Sequence, residues 1–129
     1  MSKVEVFYPS GDVSQRFVFS DWAADPMLRP CTLEIVAALS LDAEGSAAAE
    51  LAFAICNSYP DEMHCPEAYR SDVERWRAVQ QRSMSVGDVV RIGDDVWICA
   101  SMGFRVLDDH DLEGVTFLKE RVPGAAKLP

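Results

Sequence analysis

The stretch that decides the fold runs from Arg82 to Leu107 and reads RSMSVGDVVRIGDDVWICASMGFRVL. Turn residues and apolar alternation agree along its whole length. Gly93 and the two aspartates after it predict a tight reversal between two antiparallel strands. A Ser-Met-Gly bend then leads into a third strand. The predicted strands are Val89–Ile92, Val96–Ala100 and Phe104–Leu107.

Working outward, the first forty residues contain further strand patterns. Val4 to Tyr8 alternates apolar and charged residues and predicts a first strand, with Val13 to Phe19 as its hairpin partner after a Pro-Ser-Gly-Asp turn. Ser20 to Pro26 predicts a short helix that the prolines keep brief. Leu33 to Leu39 mixes strand formers with helix-forming alanines, and we interpret it as a central strand.

Ser46 to Asn57 is the clearest helical segment. Ser46 is placed to cap the helix, and Pro60 prevents its continuation past Tyr59. The segment is apolar on most sides, with Glu50 as its one wet edge. A helix of this kind is buried against a sheet.

A second, amphipathic helix follows an irregular stretch. Ser71 and Glu74 have the spacing of a capping box, in which each side chain would satisfy a free backbone amide. Apolar residues then recur every three positions at Val73, Trp76 and Val79, and the polar face carries Arg75, Arg77 and Gln81. Arg91, on the strand that follows, is also expected to be exposed.

These elements predict the fold class α+β: a small antiparallel sheet, ending in the three-stranded unit, packed against one buried and one short amphipathic helix. The 129 residues suit one domain, which we assign to residues 1–118, with 119–129 as a flexible tail. The N-terminus alternates apolar and charged residues where a secretory signal would be continuously apolar, so we expect a cytoplasmic protein without a membrane span.

Charge defines the candidate binding residues. Twenty-one acids against twelve lysines and arginines give a net charge of −9, which argues against nucleic acid as the main ligand. Five of the nine arginines nevertheless fall between Arg70 and Arg91, and an acidic run extends from Asp108 to Glu113. The candidate binding residues are Arg70, Arg75, Trp76 and Arg77 on the basic side and Asp108, Asp109 and Asp111 on the acidic side. The alternative interpretation is that these arginines form the solvated face of a helix and have no binding role.

Catalytic and cofactor signals are sparse. The four cysteines form no Cys-x-x-Cys pair, so we predict no metal site, and the glycines lack the spacing of phosphate-binding loops, so we predict no cofactor. Cys65, beside His64, is the one candidate nucleophile, with His64 or His110 as its base. A small hydrolase or transferase on these three residues is the alternative to a non-enzymatic protein.

The opening stretch also carries a resemblance. RSMSVGDVV, the hairpin after it, VWIC and ASMGF together resemble the YodL-like family. Upstream, NSYP and PEAY are similar to the family's Asn-x-x-Pro and Pro-Glu-x-Tyr elements. The match covers Leu51 to Leu107. The chain departs from the family pattern at Met84, at Cys99 and in an insertion between Tyr69 and Arg82 that carries the arginine-rich helix.

The resemblance implies a small bacterial accessory protein of plasmids or phages without an established catalytic residue set. We therefore expect a non-enzymatic protein that docks onto a host or element-encoded protein. Within that class, an acidic inhibitor of a host nucleic-acid defence enzyme, of anti-restriction or anti-CRISPR type, fits the charge. Direct nucleic-acid binding through the arginine-bearing segment is a weaker alternative, and the oligomeric state is open.

Overall fold

A six-stranded sheet carries the fold of the chain, whose computed structural model describes residues 1–9, 22–24, 32–57, 66–79 and 82–118. The strands are β1 (Ser2–Pro9), β2 (Thr32–Leu41), β3 (Val89–Ile92), β4 (Asp95–Ala100), β5 (Gly103–Leu107) and β6 (Thr116–Leu118). Their order across the sheet is β5-β4-β3-β1-β2-β6. Neighbouring strands are antiparallel except β2 and β6, which are parallel. With the two helices below, this confirms the α+β prediction.

The three strands predicted from the opening stretch are confirmed as β3, β4 and β5. Gly93 and Asp94 join β3 to β4, and Gly93 has φ +59°, a conformation that other residues adopt only with strain. Val90 opposes Trp97 across this hairpin. The turn residues therefore fix the register, as their type predicts.

The burial of Arg91 differs from the prediction. The sequence predicts an exposed side chain, but Arg91 is partly buried because β3 lies between β1 and β4 inside the sheet. Its guanidinium lies 5.7 Å from the centre of the Phe117 ring, which covers this face. The position of β3 in the strand order was not visible in the sequence.

The predicted first strand and the predicted central strand are both confirmed. β1 pairs with β2 on one side and with β3 on the other, and β2 carries one extra residue, Val36, opposite the junction of Val6 and Phe7. The predicted hairpin partner, Val13 to Phe19, lies outside the described residues. β1 and β2 are thus interior strands whose apolar residues face two separate cores.

The first helix, α1 (Gly45–Cys56), is confirmed as a buried helix. Glu50 is exposed, and the residues buried against the sheet are Ala48, Ala49, Ala52, Ala54, Ile55 and Cys56. The predicted Ser46 cap is wrong, because the helix begins one residue earlier, and Glu44 occupies the capping position without a side-chain hydrogen bond. Gly45, with φ +56°, lets the chain enter the helix at that earlier residue.

The second helix, α2 (Arg70–Ala78), has the predicted faces but not the predicted cap. Val73 and Trp76 are buried, and Arg75 and Arg77 are exposed; Gln81 lies outside the described residues. The capping box is wrong because a 3₁₀ turn, Glu67–Tyr69, leads directly into the helix. Ser71 is therefore already inside α2, and the capping position falls on Tyr69, which makes no side-chain cap.

The two faces of the sheet bury separate cores. Both helices pack on one face, against Val4, Val6, Tyr8, Leu41, Val90 and Ile92. The other face buries Phe7, Leu33, Ile35, Val89, Val96, Ile98 and Leu107 beneath Trp22 and Ala23. Of the short helix predicted from Ser20 to Pro26, the described part of the chain contains a 3₁₀ turn, Trp22–Ala24. Leu112, Val115 and Phe117 complete this second cover.

Two predictions concern the C-terminal part of the chain. The sequence shows no periodicity beyond Thr116, although β6 begins there, because a strand of three residues is too short to show an alternation. The flexible tail assigned to 119–129 falls outside the described residues.

Within the described ranges, no helix has the length and apolarity needed to cross a membrane.

Candidate functional site

One end of the sheet brings together several turns that carry acidic residues. Val96 opposes Leu107, so the β3–β4 turn and the chain leaving β5 lie at the same end. Ser2 opposes Leu41, which brings the residues after β2 to that end as well. We term the following side chains the acidic end: Asp42, Glu44, Asp94, Asp95, Asp108, Asp109, Asp111 and Glu113.

The acidic end is wide and open rather than convergent. It reaches from β5 to β2, four strand spacings or about 19 Å. All of its side chains are exposed except that of Asp111, which is partly buried, and Lys3 lies beside them. In the described ranges, no three Asp, Glu, His or Cys side chains come together as a possible metal site. The arrangement suits contact with an extended, positively charged surface.

The predicted acidic run forms an ordered turn within this end. The backbone N–H of Asp108 donates to the Asp111 carboxylate at 3.1 Å, and the N–H of Asp111 donates to the Asp108 carboxylate at 2.8 Å. The bond from the Asp111 N–H lowers the pKa of Asp108 below its ordinary value. His110 Nδ1 lies 3.7 Å from a Glu113 oxygen. The two reciprocal bonds thus hold the Asp108 and Asp111 carboxylates in defined positions.

Exposed apolar side chains lie on β5, which leads into this turn, and just before β5. On the strand, Val106 is 50% exposed; Met102, in the turn that precedes the strand, is 95% exposed. No strand of the described ranges pairs with the outer edge of β5. Interfaces combine an apolar contact with surrounding charges. Val106 supplies such a contact two residues before Asp108.

The arginine-bearing face of α2 is electrically balanced. Arg70 Nη2 lies 3.3 Å from a Glu67 oxygen, and Arg75 forms an ion pair with Asp72. Arg77 is exposed on the same helix, where Glu74 adds a third acid to match the third arginine. Trp76 is buried against Tyr8, with ring centres 6.2 Å apart, so it does not belong to the exposed face. These residues form no net positive patch.

Arg82 is partly buried and binds an interior carboxylate, so it does not contribute to a basic surface. Its guanidinium donates two hydrogen bonds to the Asp88 carboxylate, at 2.6 and 2.7 Å, and stacks 4.0 Å from the centre of the Tyr8 ring. The side chain of Asp88 is 1% exposed. Burial raises the pKa of Asp88, while the bonds from Arg82 and from the Ser85 N–H oppose that rise.

Two hydrogen bonds from side chains to backbone carbonyls fix the segment from Arg82 to Asp88 to both cores. The Tyr8 hydroxyl donates to the carbonyl of Arg82 at 2.9 Å, and Trp22 Nε1 donates to the carbonyl of Gly87 at 2.7 Å. Sequence reasoning missed this network, although Asp88 directly precedes the buried Val89 of β3. An acid at the start of an apolar strand, with an arginine six residues earlier, was the available signal. These contacts indicate a structural role for Arg82 and Asp88.

The proposed cysteine chemistry falls largely outside the described residues. His64 and Cys65 both lie outside the described ranges, so the structure does not relate them to His110, which is exposed in the acidic turn. Cys56 and Cys99 are free and buried, and burial raises the pKa of both thiols, that of Cys99 to about 12. Neither thiol is activated as a nucleophile.

Comparison with known proteins gives no relative: no family model, no curated protein and no solved structure matches the chain. The resemblance to the YodL-like family therefore stays a prediction from the motifs between Leu51 and Leu107.

Proposed function

We propose that this protein acts without catalysis, by docking its acidic end onto a basic surface of another protein. The observation that carries the proposal is the gathering of eight acidic side chains from three separate segments at one end of the sheet. Acids spread evenly over the surface would favour only solubility. Concentrated at one end, they steer the chain toward a positively charged partner and orient it there.

The class of partner follows from the same chemistry. Arginine and lysine side chains that line a nucleic-acid groove bind phosphate oxygens, and carboxylates accept hydrogen bonds from the same donors. An acidic end about 19 Å wide covers several such donors at once. We therefore propose an inhibitor of a host nucleic-acid defence enzyme, encoded by a plasmid or phage and acting in the bacterial cytoplasm. The YodL-like resemblance supports the mobile-element origin.

The test compares two charge-neutralised variants. Asp94→Asn/Asp109→Asn removes two charges from the acidic end, and Glu67→Gln/Glu74→Gln removes two from the surface around α2 as the matched control. Tagged forms are used to capture partners from extracts of the native host. We expect the wild type and the control to retain the same protein and the acidic-end variant to fail to retain it. A wash at about 0.5 M salt should release the protein from the wild type. Equal retention by all three forms, or by none, contradicts docking through the acidic end.

A second measurement tests the class of partner. The captured protein is purified and loaded with a fluorescent DNA or RNA duplex, and the wild-type chain is titrated in. We expect displacement of the duplex by the wild type and by the control variant, and weaker displacement by the acidic-end variant. A partner that binds no nucleic acid overturns the inhibitor class while leaving the docking proposal in place.

A further inference from the structure

A pocket of about 320 Å³ lies at the end of the sheet opposite the acidic end. Its walls come from α1, from the loop that leads into β3 and from the β4–β5 turn. Glu50, Phe53, Ser85, Cys99, Gly103 and Phe104 are the lining residues that matter here. Its volume is near the lower limit, roughly 300 Å³, of pockets that bind small molecules.

Glu50 is the charged group of this pocket. It is the one charged residue of α1, and within the described part of the chain it makes no hydrogen bond or ion pair. Gly103, with φ +102°, faces it: a Cβ built there would lie 3.7 Å from Glu50 Oε1. Because Gly103 has no side chain, it presents only backbone beside the carboxylate in this pocket.

The rest of the lining is uncharged. Phe53 and Phe104 meet edge to face, with ring centres 6.2 Å apart, and form an aromatic wall. Burial, followed by the negative charges of Asp88 and Glu50, raises the pKa of Cys99 to about 12, so its thiol is neutral at physiological pH. Ser85 and Ser101 add hydroxyl groups. A ligand would therefore meet one negative charge beside an apolar wall.

We propose that this pocket binds a small organic cation, an ammonium group on a short aromatic or aliphatic body. The ammonium would contact the Glu50 carboxylate, and the body would pack against Phe53 and Phe104. The net charge of −9 favours approach of a cation and disfavours an anion of the same shape. This site is independent of the acidic end, which lies at the far end of the strands.

The experiment uses three probes of similar shape: 2-phenylethylamine, the neutral 2-phenylethanol and the anionic 3-phenylpropionate. Each is titrated into the full-length, isotope-labelled chain while backbone amide shifts are followed by NMR. We expect the amine to shift the amides of Ala100, Gly103 and Phe104 and to bind more tightly than the alcohol, with the anion weakest. Failure of the amine to shift these amides, or equal binding of all three probes, overturns the proposal.

Two variants isolate the carboxylate. Glu50→Gln, at an exposed position, should weaken amine binding about three- to tenfold, to the level of the alcohol, and leave alcohol binding unchanged. Glu44→Gln, which removes an exposed charge at the acidic end, should leave amine binding unchanged. If Glu44→Gln weakens the amine as much as Glu50→Gln does, the effect is a general one of net charge and the pocket assignment is wrong.

Discussion

Arg82 and Arg75 lie seven residues apart in the same arginine-rich stretch, yet one forms a buried ion pair and the other an ion pair at the surface. Arg82 reaches a carboxylate that is 1% exposed and stacks on Tyr8, whereas the side chain of Arg75 is 59% exposed and pairs with Asp72 on its own helix. The first pair joins the loop before β3 to the core. The second lies at the surface of α2, where the Arg75 side chain is exposed and that of Asp72 is 17% exposed. Residue type and spacing do not distinguish the two roles, because burial decides what an ion pair is worth.

The strongest test of this difference is removal of the buried carboxylate. Asp88→Ala leaves the Arg82 guanidinium and the Ser85 N–H without their acceptor. We expect a loss of about 3 kcal/mol in the free energy of unfolding, at the lower end for buried pairs because Arg82 is one-third exposed. Urea unfolding followed by tryptophan fluorescence measures it. Arg82→Met/Asp88→Leu, which removes both charges, should cost less; a loss below about 1 kcal/mol for Asp88→Ala would contradict the structural role.

Trp22→Phe removes another contact to the same loop. The Gly87 carbonyl loses the hydrogen bond from Trp22 Nε1 and stays buried, so we expect a loss of about 2 kcal/mol. Trp97→Phe is the matched control, because the Nε1 of Trp97 is buried without a hydrogen-bond partner in the described ranges. The control should cost less than about 1 kcal/mol in the same urea experiment. Equal losses for the two variants would show that ring volume, rather than the hydrogen bond, holds the loop.

The surface pair should matter least for stability. Arg75→Ala breaks the ion pair with Asp72 on α2, where the guanidinium is already hydrated. We expect a change within about 0.5 kcal/mol, measured by the same unfolding curves. Arg70→Ala, which breaks the exposed pair with Glu67, should behave alike. A loss above about 1.5 kcal/mol for either variant would mean that α2 uses these arginines structurally and would erase the contrast with Arg82.

The two kinds of site should also differ in titration, without a large change in stability. Burial raises the pKa of Asp88, and the Asp111 N–H lowers that of Asp108, relative to about 3.9 in an unfolded chain. The proton-linked part of the Asp88 contribution to stability, which is separate from its bonds to Arg82 and Ser85, is then complete below about pH 3.9 and is lost as the pH rises through its folded pKa. The Asp108 contribution is present above about pH 3.9 and is lost as the pH falls through its folded pKa. Carboxyl NMR should place the Asp88 midpoint above that of Asp108; coincident midpoints would contradict the contrast.

The sequence predicted those strands and helices that local residue patterns determine. Alternation and turn chemistry located β1 and the β3–β4–β5 unit. The apolar segment ended by Pro60 located α1, and the spacing of apolar residues located α2. The predicted cap residues are wrong because a 3₁₀ turn before α2 and the positive-φ Gly45 at the start of α1 moved both helix starts to earlier residues. These are shifts of one or two residues that propensity does not resolve.

The sites depend instead on register between distant strands. The acidic run was visible as Asp108 to Glu113, but its proximity to Asp42 and Glu44 follows from the pairing of β1 with β2 and β3. The Glu50 pocket likewise needs α1 placed over the β4–β5 turn. β6 was missed because three residues hold too little pattern, and its pairing with β2 is a tertiary property.

The place of β1 in the sheet has a consequence for how the chain is made. Its partners in β3 lie more than 80 residues further along, with Phe7 opposite Val89 and Val4 opposite Ile92. At about 5–20 residues per second, a ribosome needs several seconds to deliver β3 after β1 has emerged. During that interval β2 can cover one edge of β1, while the other edge, rich in valine and aromatic residues, stays open to wrong partners. We therefore expect the β3–β4–β5 unit to form on its own as a local step, and its docking onto β1 to be the slow one.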